Sequence, residues 1–413
     1  KARKGRNAKL VVIDPYRTPT AQQADIHIPI KPGTDGALAC AVMNVLFEEG
    51  FADWDYMRAH SDGPERLQQH LATRTPEWAA EITGIAAEDI RALARLYGGT
   101  EKAYLRVGYG FTRSRNGAAN MHAVTCLPVV AGKWKHRGGG ALFSNREIFG
   151  IDQTLIRGLD VVDPSTRALD MSQIGRVLTG DAAALKGGPP VNVLFTQNIN
   201  PAEVAPETTR VIDGMMRDDL FTCVHEQFMT ATAKLADIVL PATMFLEHED
   251  MYQGGGHFYL QVHKALIESP GQCRSNVEVI NGLAKRLGSD YPAFHMSAWE
   301  LIDDALRRSG RPSADEVLAQ GWVDCTKPFD EAHFLNGFGH ADGKFHFAAD
   351  WSQLGGEHAG MSALPDHLDV IDKASEACPY RLVAAPARRF LNTSFTETPS
   401  SRQKEGRPTA LIH

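Results

Sequence analysis

The chain has 413 residues, a net charge of −7, 43% hydrophobic residues and 23% charged residues. That length is enough for roughly two or three domains with large buried cores, and the acidic balance argues against a nucleic-acid or phospholipid partner, which would want a basic face. No apolar run is long enough to span a bilayer, and the six cysteines form no CxxC pair, which excludes a local zinc or iron–sulfur motif and leaves each as a small buried hydrophobe.

Lys9–Ile13 is a β-branched run halted at Asp14-Pro15, which predicts a buried parallel strand. Pro32–Gly36 reads as a turn that opens a helix over Ala37–Glu49, closed by Gly50. Trp54 and Met57, Leu67 and Leu71, and Ile90, Leu93 and Leu96 recur at helical spacing through residues 51–97. Tyr104–Val107 reads as a strand entering Gly108–Thr112, Asn116–Ala131 as a helix, and Gly138–Gly140 as a loop. A second unit begins near Gly150. Its predicted elements are a strand over Val191–Thr196, a polar helix to Met216, a strand over Leu220–Val224, a short helix over Thr230–Leu235 and a strand over Asp237–Leu240. Residues 297–375 are less regular. Tyr380–Ala384 reads as a further strand, and Thr409–His413 as a strand in progress, so the chain reads as cut from a longer one. No internal repeat is visible. The alternation predicts an α/β fold with mainly parallel sheets.

Ligands of open parallel sheets sit outside the C-terminal ends of the strands. Four predicted strand exits carry chemistry there: Asp14 with Arg17 and Thr18, Tyr109 to Arg113, Asn198 with Asn200, and His225-Glu226. A carboxylate accepts from ribose hydroxyls or from the N1–H and N2–H₂ edge of guanine. Glycine lets a phosphate approach backbone N–H groups at a helix N-terminus. Each exit alone is an ordinary turn; four together point to a nucleotide. Gly108-x-Gly110 lacks the third glycine of the dinucleotide fingerprint, so NAD is discounted. No histidine forms an HxxxH or HxH pair, so no metal ligand is assigned to this chain. Glu247–Asp250 reads as a solvated charged turn.

Val11-Val12-Ile13-Asp14-Pro15-Tyr16-Arg17-Thr18-Pro19-Thr20-Ala21, then Ala24-Asp25 and Pro32-Gly33-Thr34-Asp35-Gly36, resembles the dimethyl sulfoxide reductase family of molybdopterin oxidoreductases. Asn198-Ile199-Asn200-Pro201, and the run from His225-Glu226 to Ala236-Asp237-Ile238-Val239-Leu240-Pro241, resemble the same family in the same order. The resemblance implies molybdenum held by two molybdopterin guanine dinucleotides, with two pseudo-symmetric Rossmann-like domains taking one guanosine arm each. It implies Asp14, Arg17, Gly33, Thr34 and Asp35 at one arm, and Asn198, Asn200, His225, Glu226 and Asp237 at the other. It places Tyr109, Gly110 and Arg113 toward the pterin and metal, with Arg113 as the candidate catalytic charge. His248 and Asn276 match cofactor-facing positions, and Arg388, Asn392 and Ser394 match the opening of a C-terminal, β-barrel-like domain that caps the pterins. Tyr16 stands where an Arg is usual, leaving Arg17 as the basic residue there. Phe143–Glu147 stands where the formate dehydrogenase branch carries an Arg-Gly-Gln-Asn run, so formate is not implied.

The expected domains are therefore residues 1–147, a first dinucleotide-binding α/β domain; 148–240 with 276–290, a second; 241–275 with 291–375, a small mixed lobe; and 376–413, the start of the capping domain. The implied activity is oxygen-atom or two-electron transfer between a small substrate and an electron-transfer partner protein. A non-catalytic scaffold subunit of a larger redox complex is the alternative. The metal ligand and any iron–sulfur cluster are expected upstream of Lys1. A cytoplasmic setting is favoured over a periplasmic one.

Overall fold

The computed structural model describes residues 5–354, 358, 360–370 and 374–412. They fall into two units, Lys1–Asn145 with Lys327–Val383, and Arg146–Thr326 with Ala384–His413. The first unit runs β1 (Val11–Ile13), α1 (Pro19–Gln22), β2 (Ile26–Ile28), α2 (Asp35–Glu48), α3 (Trp54–His60), α4 (Pro64–Leu71), α5 (Pro76–Thr83), α6 (Ala87–Gly99), β3 (Tyr104–Arg106), α7 (Gly117–Val130) and β4 (Gly140–Leu142). β1 pairs β2 and β3 pairs β4, both in parallel. Helix α2 is apolar on every side and is buried from Gly36 to Leu46, as expected of a helix surrounded by protein. It packs against α5, α6 and α7. Met57, Leu67, Leu71 and Ile90, four of the residues at helical spacing, are completely buried in this core. Each stabilises the fold by about 1.5–3 kcal/mol relative to exposure.

The second unit holds α8 (Ile174–Leu178), β5 (Val193–Gln197), α9 (Pro201–Val204), α10 (Thr208–Met215), β6 (Phe221–Glu226), α11 (Ala231–Lys234) and β7 (Ile238–Pro241). The sheet order is β5–β6–β7, all parallel. There follow β8 (Asp250–Gln253), β9 (Tyr259–His263), α12 (Asn276–Leu287), α13 (Ala298–Arg308), α14 (Ala314–Gln320) and β10 (Val323–Asp324). The last sheet, β10–β9–β8, is antiparallel. Ser275 with Glu278, Ser297 with Glu300 and Ser313 with Glu316 form capping boxes on the three helices, satisfying N-terminal N–H groups reciprocally.

The chain is thus a mixed α/β protein with parallel sheets. Several local expectations fail. Tyr380–Ala384 is not a strand, nor are residues 409–412, while His413 lies outside the described residues. Gly140 opens β4 rather than ending a loop; its positive φ of 90° suits glycine there. Glu249 and Asp250 are not a free charged turn. Asp250 begins β8, and Glu249 pairs with Lys264 at 2.9 Å.

The chain does contain a repeat. Thr18-Pro19-Thr20-Ala21-Gln22-Gln23-Ala24-Asp25-Ile26-His27-Ile28-Pro29 aligns without gaps on Thr230-Ala231-Thr232-Ala233-Lys234-Leu235-Ala236-Asp237-Ile238-Val239-Leu240-Pro241. Thr18 Oγ1 accepts from Ala21 N, and Thr230 Oγ1 from Ala233 N, both at 3.2 Å. Asp25 accepts from Leu10 N, and Asp237 from Thr222 N, both at 2.7 Å. The strand registers match as well, Val11 with Ile26 and Cys223 with Ile238. Seen this way, Asp14 and Glu226 are equivalent residues, each four positions before its capping threonine.

Candidate functional site

Asp14 leaves the C-terminal end of β1 half-buried. Its Oδ1 accepts from Tyr16 N at 3.3 Å, an Asx-type turn, and Oδ2 has no donor among the described residues. His27 Nε2 hydrogen-bonds the Asp14 carbonyl oxygen at 3.0 Å. Arg17 is exposed.

The Gly33–Gly36 turn carries Thr34 and Asp35 into helix α2. Gly33 has φ +80°, and a Cβ there would stand 2.9 Å from Val370 Cγ2, so the position is reserved for glycine. Thr34 Oγ1 donates to Lys31 O at 2.7 Å. Burial, and secondarily the nearby Asp14 charge, raise the Asp35 carboxyl to about 6 against the lowering effect of its own backbone N–H. Two completely buried asparagines, Asn116 and Asn120, grip the turn from α7. Asn116 Nδ2 donates to Gly33 O at 2.6 Å, and Asn120 Oδ1 accepts from Gly36 N at 3.0 Å. Sequence reasoning missed both, because a helical Asn resembles any other cap or surface residue until its partner is known.

The Tyr109–Arg113 loop leaves β3 and is anchored rather than loose. Arg106 Nη1 donates to Leu142 O at 3.1 Å and to Phe143 O at 2.8 Å. Tyr109 lies 4.4 Å from the Phe143 ring, centroid to centroid. Gly110 is open, with nothing within 4 Å of a built Cβ. Arg113 is exposed, and its side chain has no ion pair or hydrogen bond among the described residues.

In the second unit, Asn198 leaves β5 exposed, in the left-handed region at φ 59°, a conformation Asn tolerates better than most residues. Glu226, at the end of β6, accepts at Oε1 from Gln227 N at 2.7 Å, and Oε2 has no donor among the described residues. His225 is almost wholly buried, its Nδ1 3.1 Å from Gln197 Nε2 and its Nε2 3.0 Å from Arg274 O. Gln197 also donates to Asn276 Oδ1 at 3.3 Å. His225 and Asn276 are therefore joined through a glutamine that the sequence did not single out. Asn200 is buried, and its Oδ1 accepts from Thr232 Oγ1 at 2.6 Å and from Thr232 N at 3.2 Å.

Other candidates lie elsewhere. Asp237 sits at the N-terminal end of the parallel sheet, bonded to the first residues of β6, whereas Asn198 and Glu226 are at the C-terminal end. His248 Nδ1 is 2.8 Å from Thr243 Oγ1. Arg388 is exposed without a side-chain partner among the described residues. Asn392 (φ 53°) and Ser394 belong to a tight turn bridged from Leu391 to Ser394. Among the described residues, no group of three or more His, Cys, Asp or Glu side chains is placed to hold a metal ion, and no helix is long and apolar enough to cross a membrane. Cys40, Cys126 and Cys325 are buried as expected, but Cys378 is exposed.

A match to the molybdopterin oxidoreductase family spans residues 1–286, and the chain belongs to that family. It is 36% identical over its whole length to the probable oxidoreductase YoaE of Bacillus subtilis (strain 168), covering 59% of that protein. It is 30% identical over 70% of its length to the probable dimethyl sulfoxide reductase chain YnfF of Escherichia coli (strain K12), covering 40% of it. The chain therefore spans about half the length of these curated relatives. Its fold matches acetylene hydratase from Pelobacter acetylenicus with a TM-score of 0.69 at 22% identity, over 90% of this chain and 55% of the other.

Proposed function

We propose that the full-length protein is a molybdenum-dependent oxidoreductase, and that this chain supplies much of the site for a molybdopterin guanine dinucleotide cofactor. The observation that carries the reading is the repeat. One strand–turn–helix–strand device occurs twice, and in each copy a carboxylate with an unfilled acceptor oxygen, Asp14 or Glu226, stands at the strand exit.

The donor set supports a guanosine end. Guanine and ribose offer N–H and O–H donors, and these two exits offer acceptors. Asp35 argues in the same direction. A carboxyl whose ionised form is disfavoured, by burial first and by a neighbouring carboxylate, gains from a donor-rich ligand. Asp14, Thr34 and Asp35 would hold one nucleoside end, with Gly33 admitting the backbone. Asn198 and Glu226, supported by His225, Gln197 and Asn276, would hold the other. On this reading each arm is held by a Rossmann-like half, and residues 376–413 open a further domain that contributes Arg388, Asn392 and Ser394. When bound, the molybdenum centre supplies two-electron chemistry. The chain's own residues bind and orient it, and Arg113 presents a cation toward a small substrate. Electrons would pass to a separate partner protein.

The test is composition. Purified full-length protein is assayed for molybdenum and for guanosine monophosphate released by acid. The expected ratio is about two nucleotides per metal, as the two-arm reading requires. Protein that is fully folded but carries neither would overturn the proposal in favour of a scaffold.

A further inference from the structure

Asn116 occupies the N-cap position of α7 yet makes no capping bond to its own helix. An Asn that caps typically contributes about 1 kcal/mol. Here the side chain is committed elsewhere. Its Nδ2 donates to Gly33 O at 2.6 Å and to Leu368 O at 2.8 Å. Its Oδ1 accepts from Ser114 Oγ at 2.6 Å and from Asn120 Nδ2 at 3.3 Å. Asn120 in turn holds Gly36 N at 3.0 Å. Both asparagines are completely buried, where an unpaired amide is costly, so the network holds as a unit or not at all.

The network joins two segments that are distant in sequence. One is the Gly33–Gly36 turn, which delivers Asp35. The other is the loop from Tyr109 to Ser114, which delivers Arg113 and is tied to Asn116 through Ser114. The turn is also boxed in from outside the network, since a Cβ at Gly36 would lie 3.1 Å from Asp366 O.

We propose that Asn116, with Asn120, is a positioning residue. It fixes the Arg113 loop to the nucleotide-side turn, so that a nucleotide seated on the turn also orders the loop that faces the substrate. This rests on the reading that the turn takes a guanosine end. The latch itself is a property of the chain and can be judged separately.

Cofactor-free full-length protein is compared with its Asn116→Ala, Ser114→Ala and Asn44→Ala variants by amide hydrogen exchange, with and without guanosine 5′-monophosphate. Asn44 is the control. It is equally buried, but its amide donates to Leu71 O at 3.1 Å, away from the turn. In Asn116→Ala, exchange should rise about tenfold at residues 33–37 and also at 110–117, the scale of one lost buried hydrogen bond. Ser114→Ala, a milder change, should raise both by about threefold on the same scale. Asn44→Ala should raise neither. Acceleration confined to one segment, or matched by Asn44→Ala, overturns the latch. In the wild type, the nucleotide should slow exchange at 33–37 and at 110–117 together. Slowing at the turn alone overturns the coupling, whereas no slowing at either overturns the nucleotide reading and leaves the latch to be decided by the variants.

Discussion

Asp25 and Asp237 perform one task in two places. Each carboxylate accepts the backbone N–H of a residue at the start of the neighbouring strand, Leu10 or Thr222, at 2.7 Å, and each returns its own N–H to the carbonyl of that residue, at 2.9 and 3.0 Å. The pairing sets the register of β1 on β2 and of β6 on β7. Register in a parallel pair decides which side chains leave the C-terminal edge, so these two residues place Asp14 and Glu226 from the opposite end of their strands.

It follows that Asp237 acts as a pin. Asp237→Asn should lower the free energy of urea unfolding by about 1 kcal/mol, below the usual value for a bond to a charged acceptor because the residue is exposed. Nucleotide content should not change. Loss of bound nucleotide at unchanged stability would instead make Asp237 a ligand contact.

Asp35 gives the protein a pH dependence of definite sign. Its folded-state value is raised from 3.8 to about 6, first by burial, against the lowering effect of its backbone N–H, and also by the Asp14 charge. The folded chain therefore binds this proton more tightly than the unfolded chain. The resulting stabilisation is present in full below about pH 4 and is lost as pH rises through about 6. Above that, the ionised group costs about 1–2 kcal/mol, discounted for partial exposure. Asp35→Asn should stabilise the cofactor-free protein by that amount at pH 7.5 and by almost nothing at pH 4, measured by urea titration at each pH. Affinity for guanosine, which carries no phosphate, should rise between about pH 5 and 7 in the wild type, as the acceptor ionises. That slope should be absent in the variant.

His225 illustrates support at one remove. It fills a buried slot between Gln197 and Arg274 O. Replacing it with Leu leaves both partners without their bond, a loss of roughly 2–3 kcal/mol. Gln197→Ala removes the same contact from the other side, together with the bond to Asn276. The double variant should cost less than the two single changes added, because the partners share one interaction. Additive losses in urea unfolding would show that the contact is not coupled.

The strands and buried helices were legible because their signals are local. β-branched runs halted at Pro gave β1 and β7, and the apolar run after the Pro32–Gly36 turn gave α2. The hairpin of β8 and β9 was obscured by Glu249, which pairs with Lys264, and by Asp250, which opens an edge strand. The strand expected at Tyr380–Ala384 failed because its apolar residues find no sheet to join; Leu382 is 88% exposed. In the candidate site, polar residues at strand exits could be named from the sequence. Their supports could not. Gln197, Asn116 and Asn120 have meaning only through partners far away in the chain, and no spacing rule carries that information. The repeat is a single short stretch that occurs twice, far apart in the chain, so no fixed period reveals it.

Arg113 is the sharpest functional test, because the structure gives it no other task. Its side chain is exposed and makes no ion pair or hydrogen bond among the described residues. Surface residues of that kind change stability by less than about 0.5 kcal/mol when replaced, so Arg113→Ala should keep its melting temperature. It should also keep its molybdenum and nucleotide content, since the loop is held by Arg106, Ser114 and Asn116 rather than by Arg113. A cation held against developing negative charge once the loaded site excludes water is worth about 2.7–4 kcal/mol, or roughly a hundredfold to a thousandfold in turnover. The expected result is therefore a fall of that size in kcat with composition and stability unchanged, and a smaller fall for Arg113→Lys, which keeps the charge but loses the planar fork. Unchanged turnover in a fully loaded Arg113→Ala protein would remove the residue from the reaction and leave this loop as cofactor support alone.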